Sequence, residues 1–152
     1  MTTPPAPAPL KLTDTMKEAV NGALGRGKPV AVSYVDESGQ PHLSYRGTVQ
    51  AYSDTQLALW TRDPKNGMAS AIAANPAMVL LYGDLNPENR VLLTFRGRGH
   101  IDNDEAVRRK VFESSHPAEQ ERDKERKGVA IIIDLDSVEG LVDGGFVRQR
   151  RT

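Results

Sequence analysis

One stretch, residues 55–82 (TQLALWTRDPKNGMASAIAANPAMVLLY), constrains this chain more than any other. Its pattern predicts a strand over residues 55–62, a polar turn over 63–67, a short helix of small residues over 68–75 and a second strand over 77–82. That order aims the backbone N–H groups of a helix start, beside Thr61, Arg62 and Lys65, at one point. A helix N-terminus carries roughly half a positive charge and unpaired donors, so a phosphate suits such a point. The plainer alternative is an ordinary turn in which Asp63 or Asn66 caps the helix.

The flanking sequence supplies more strands than helices. Residues 1–12 are proline-rich; each proline fixes φ and removes a donor, which predicts an extended, flexible tail. Thr13 then precedes Met16, Val20 and Leu24 at helical spacing, and Gly25 and Gly27 end that helix. Residues 29–35 and 42–52 read as a hairpin around the turn at 36–40. Residues 91–101 form a long strand that puts Val91, Leu93, Phe95, Gly97 and Gly99 on one face and Thr94, Arg96, Arg98 and His100 on the other. A charged helical segment follows, capped by Asn103 or Asp104, with Val107, Val111 and Phe112 as its apolar stripe. Pro117 breaks it, and residues 118–127 are read as a solvated face. Strands at 129–135 and 138–142 and a last short extended piece close the chain, and the basic residues 148–152 are read as a tail. The sum is a mainly β protein with flanking α: a six- to seven-stranded antiparallel barrel, closed or partly closed, rather than a doubly wound sheet.

Composition removes several classes of function. With 152 residues the chain has room for one domain and one core. Twenty Lys and Arg against twenty Asp and Glu leave no basic surplus for nucleic acid or an anionic membrane. With no cysteine there is no disulfide, thiol nucleophile or thiolate metal site, and a redox role needs an organic cofactor. No apolar run is long enough to span a membrane, so a soluble, cytoplasmic protein is the expectation.

The series of a threonine-ended strand, TRDPKNGMASAIAANP and the AMVLLY strand resembles the pyridoxamine 5'-phosphate oxidase-like split-barrel family of flavin and deazaflavin reductases. The likeness spans about residues 13–146 and takes in the first hairpin and the VLLTFRGRGHID strand. It implies an FMN-binding split barrel over residues 13–147, and a homodimer with one flavin in a groove at each side of its interface. It further implies that Arg46 and Thr48 meet the cofactor from the second strand, that Trp60, Thr61 and Arg62 do so from the end of the third, and that Lys65, Asn66, Gly67 and Met68 form the phosphate turn. Family members often read Ser-Arg-Lys or Arg-Ala-Lys where this chain has Asn66-Gly67-Met68, so one turn cation is missing. The glutamine of true oxidases is replaced by Leu92 or Leu93, and their C-terminal tryptophan and basic motif are absent, which excludes pyridoxamine phosphate oxidation itself.

The resemblance therefore implies hydride transfer between FMN and a small conjugated substrate. Coenzyme F420 is the alternative cofactor, with Arg46, Arg96 and Arg98 as holders of its anionic tail. A non-catalytic, stress-associated dimer is the alternative of another class. No side chain is assigned to proton transfer. His42, His100 and His116 are too scattered for a metal site or a catalytic triad, and Asp134 and Asp136 read as strand ends.

Overall fold

The computed structural model describes residue 3 and residues 6–152. Its elements run β1 (Ala8–Pro9), α1 (Asp14–Asn21), β2 (Val30–Val35), β3 (Pro41–Arg46), β4 (Gln50–Ser53), β5 (Gln56–Thr61), α2 (Met68–Ala74), β6 (Ala77–Asp84), β7 (Val91–Asp102), α3 (Glu105–Ser114), α4 (Pro117–Gln120), a single 3-10 turn (Glu121–Asp123), β8 (Val129–Val142) and β9 (Gly145–Arg150). The nine strands form one sheet with the helices packed around it.

Seven strands in the order β4-β5-β8-β7-β6-β2-β3 are paired antiparallel throughout, which is the barrel expected. It stays open between β3 and β4, which share no ladder among the described residues. Residues 42–52 are thus two strands, not one, because the chain turns a corner at Gly47–Val49. Conversely, residues 129–135 and 138–142 are one continuous 14-residue strand. β8 pairs with β7 along one edge, while its other edge serves β5 with residues 129–134 and β9 with residues 137–142.

Parts of both expected tails pair as strands. Arg148 to Arg150 continue β9 on β8, and Ala8 and Pro9 run parallel to Gln149 and Arg150. The cause is the buried Gln149 amide, which accepts from Lys11 N and donates to Lys11 O, both at 2.9 Å. An amide satisfied on both sides orders what composition alone leaves loose. Leu12 then enters the core. Residues 1, 2, 4 and 5 of the proposed tail lie outside the described residues.

The main core fills the barrel: Val32, Leu57, Leu59, Leu80, Tyr82, Leu93, Phe95, Ile131, Ile133 and Leu135, sealed by α1 and α2. The burial of β7 alternates as its sequence does, with Gly97 and Gly99 inward. A second, smaller core of Ala58, Trp60, Val111, Phe112, Ala130 and Ile132 holds α3 against the outer side of β5 and β8. Thr13 caps α1 by accepting from Met16 N, and Asp104 caps α3 by accepting from Val107 N. No helix among the described residues is long and apolar enough to cross a membrane.

Candidate functional site

Where the barrel stays open, the corner between β3 and β4, the end of β5 and α4 with its 3-10 turn enclose a cavity of about 290 Å³. Its lining includes Arg46, Gly47, Thr48, Trp60, Thr61, Arg62, Glu119 and Arg122. The corner is made by Thr48. Its hydroxyl accepts from Trp60 N at 3.0 Å and donates to Trp60 O at 2.9 Å, standing in for a strand where β4 has turned away. Below it the buried Gln50 amide donates to Thr48 O and to Val111 O, tying the corner to α3.

The far wall is fastened by Asp123. Its carboxylate accepts from the Trp60 indole at 2.9 Å, from Gly128 N at 2.9 Å and from Lys127 N at 3.0 Å. Burial works against its charge, but those bonds from Trp60, Gly128 and Lys127, with the Arg62 guanidinium nearby, hold the carboxyl below its usual range. Gly128 is required here: a Cβ would run into the Thr61 carbonyl and lie 2.7 Å from the Trp60 indole nitrogen.

Against these committed groups stand several open ones. The Thr61 hydroxyl has no hydrogen-bond partner among the described residues and is not sealed from solvent. Arg62 is exposed and makes no ion pair among the described residues. Among the described residues Arg46 makes only a 3.1 Å bond to the Ser44 hydroxyl. Three guanidinium groups against one carboxylate make the cavity cationic.

No family model and no curated protein matches the chain. Solved structures do. HupZ of Group A Streptococcus aligns with a TM-score of 0.64 and 18% identity over 90% of this chain and 98% of its own. A Clostridium acetobutylicum protein of the pyridoxinephosphate oxidase family, related to general stress protein 26 of B. subtilis, gives 0.63 and 14% over 91% and 96%. An F420 reductase gives 0.52 and 20% over 73% and 88%. The chain has the pyridoxamine phosphate oxidase-like split-barrel fold. At these identities the likeness is one of fold.

Within the split barrel the nine residues singled out from the sequence fall into two groups. Arg46, Thr48, Trp60, Thr61 and Arg62 border the cavity. Of these, Thr48 is committed to Trp60, and the Trp60 ring belongs to the second core, 5.2 Å edge-on from Phe112 and beneath Arg108. Trp60 is 5% exposed, so most of its ring is spent on that core while its edge reaches the cavity lining. Lys65, Asn66, Gly67 and Met68 lie outside the cavity lining. Asp63 takes up the amides of Lys65 and Asn66 at 3.0 and 3.1 Å and the Asn66 side chain at 3.3 Å, so these turn donors are already used. The same backbone bonds hold the Asp63 carboxyl below its usual range. Met68 is buried in the main core, and Gly67 opens with no side-chain cap onto a separate hollow beside Tyr34 and His42.

The three arginines expected to hold an anionic tail together are also separated. Arg96 pairs with Glu139 at 3.7 Å and Arg98 with Asp136 at 3.2 Å, and neither borders the cavity that Arg46 borders. His100 pairs with Asp134 at 3.2 Å, and His42 with Asp36 at 2.8 Å. No metal-holding group of three His, Asp or Glu occurs among the described residues. Glu119, Arg122 and Asp123 were missed because alternating charge on a short helical piece reads as solvent-facing. The Pro117 break, with His116 Nδ1 accepting from Ala118 N, is what folds this piece back over β5.

Proposed function

We propose that this protein is an FMN-binding oxidoreductase of the split-barrel type, with the phosphate-bearing tail of the cofactor in the arginine-lined cavity. The observation that carries the reading is the set of donors there with no hydrogen bond or ion pair among the described residues: the Thr61 hydroxyl and the Arg62 guanidinium, with Arg46 and Arg122 on the same lining. Charge-assisted bonds from guanidinium groups suit phosphate geometry. At about 290 Å³ the cavity is at the low end for a whole ligand, against ~300–1,000 Å³ for complete sites. It suits a tail, leaving the ring on the surface near Tyr45. When bound, the flavin supplies hydride transfer to or from a small conjugated substrate. The chain's own residues orient it and balance its charge.

A homodimer belongs to the same proposal. Leu43 and Tyr45 are each 74% exposed and share one sheet face with Val79 and Leu81, since Ser33 pairs with both Leu43 and Val79 and Ala31 with both Tyr45 and Leu81. A contiguous apolar face of this kind is a contact surface, and a second copy on it would wall the cavity mouth beside Tyr45.

Coenzyme F420 is the second reading, favoured by the turn that Asp63 has filled and by the fold neighbour named an F420 reductase. The absorption spectrum of freshly purified protein, followed by titration with FMN and with coenzyme F420, tests both. A flavin spectrum or saturable FMN binding is expected. A colourless protein that takes up only coenzyme F420 selects the second reading. Binding of neither overturns both and leaves a non-catalytic dimer.

A further inference from the structure

Glu119 is the one carboxylate on the lining of the arginine cavity, and nothing in the site described so far uses it. Its side chain is only 19% exposed. Its sole ion pair among the described residues is with Arg122, at a loose 3.9 Å, and no hydrogen bond reaches its carboxylate. A carboxylate so far removed from water ordinarily finds close partners. Gly47 makes the room for it: a Cβ at that position would lie 2.7 Å from Glu119 Oε1. The backbone around it is held, since His116 caps α4 and the Gln120 amide donates to Phe112 O, Glu113 O and Ser115 O. The side chain, by contrast, is held among the described residues only by its long pair with Arg122.

We propose that Glu119 is a built-in counter-anion of this cavity. In the free protein its charge offsets part of the repulsion among Arg46, Arg62 and Arg122; an incoming anion takes over that task and turns the carboxylate out. The carboxylate thereby sets a threshold. Weakly charged anions gain too little from the arginines to displace it, whereas a phosphate dianion gains enough. The inference rests on the proposed function only in taking the cavity to bind anions.

Calorimetric titration of wild-type protein and Glu119→Gln with inorganic phosphate, and separately with FMN, tests it, with melting temperatures confirming that both are folded. Glu113→Gln, at an exposed position of α3 whose carboxylate pairs with Arg126 at 3.7 Å and does not line the cavity, serves as the control for a simple change of net charge. Phosphate is expected to bind Glu119→Gln about fivefold or more tightly than wild type, as removal of a like charge near a bound anion requires, with Glu113→Gln unchanged. Equal or weaker phosphate binding by Glu119→Gln overturns the inference, as does an equal gain in Glu113→Gln or no phosphate binding by any of the three. If phosphate tightens but FMN binds none of them, the flavin reading fails and the counter-anion stands. If FMN binds wild type and the substitution does not tighten phosphate, the reverse holds.

Discussion

Residues 61–62 and residues 63–67 are adjacent in the chain and opposite in character. At the first, among the described residues the Thr61 hydroxyl makes no hydrogen bond and the Arg62 guanidinium makes neither a hydrogen bond nor an ion pair, only acting through space on Asp123. At the second, the Asp63 carboxylate has already claimed the amides of Lys65 and Asn66. Both corners are rich in donors. What separates them is whether a neighbouring carboxylate can reach those donors without moving the backbone. Asp63 does so two and three residues on, the usual reach of a short acidic side chain in a turn. In the hollow the acid is Glu119, which sits on another element and meets Arg122 only loosely.

The largest effect expected from probing this contrast is structural. Gly128→Val forces a branched side chain into the Thr61 carbonyl and the Trp60 indole. Backbone cannot yield as a side chain does, so the loss should exceed the ~3 kcal/mol at the upper end of ordinary overpacking. Chemical denaturation measures it, and wild-type stability would show that the wall is not held as described.

Next in size is Asp123→Ala, which leaves three N–H donors unanswered and should cost about 1–3 kcal/mol. Its acid dependence follows from the depressed carboxyl. The unfolded chain takes up this proton at higher pH than the folded one. The stabilisation is therefore complete above the unfolded value and fades as pH falls through the folded one. Fluorescence of Trp60, the one tryptophan, should hold steady from neutrality down to about pH 4 and change only below it. In Asp123→Ala that acid step should vanish; its persistence would assign the change to another group.

The smallest effect is the sharpest comparison. Arg62→Ala should weaken FMN by about ten- to a hundredfold, matching ~1.5–3 kcal/mol for a charged hydrogen bond, while Lys65→Ala should leave affinity within about twofold, as for an exposed charge. Titration of both variants decides between the two corners. A loss confined to Lys65→Ala would return the site to the turn.

The strand-turn-helix-strand unit was legible because β6 alternates cleanly, α2 is helically spaced and β5, buried on both faces, is a short apolar run bounded by turn residues; the buried face of β7 was legible from its alternation. The break at Gly47 was not, since the Thr48 hydroxyl continues the contact with Trp60 that a ladder would have made, leaving the residue pattern strand-like. Thr61 and Arg62 could be read as site residues because they stand between a predicted strand and a helix start, and Arg46 through the family resemblance. Arg122 and Glu119 could not, because their approach depends on how a short charged piece folds back from Pro117. The filled turn was half legible: Asp63 was considered as a cap for the helix, whereas it satisfies the turn before the helix begins.

One last consequence comes from β8. A single backbone carries β5 on its first half and β9 on its second, along the same edge. The strand that ends in Thr61 and the strand that anchors the N-terminal segment through Gln149 are thus leaves on one spine. No loop lies between the two ladders: only Leu135 and Asp136 of β8 separate the pairing that ends in Thr61 from the pairing with β9.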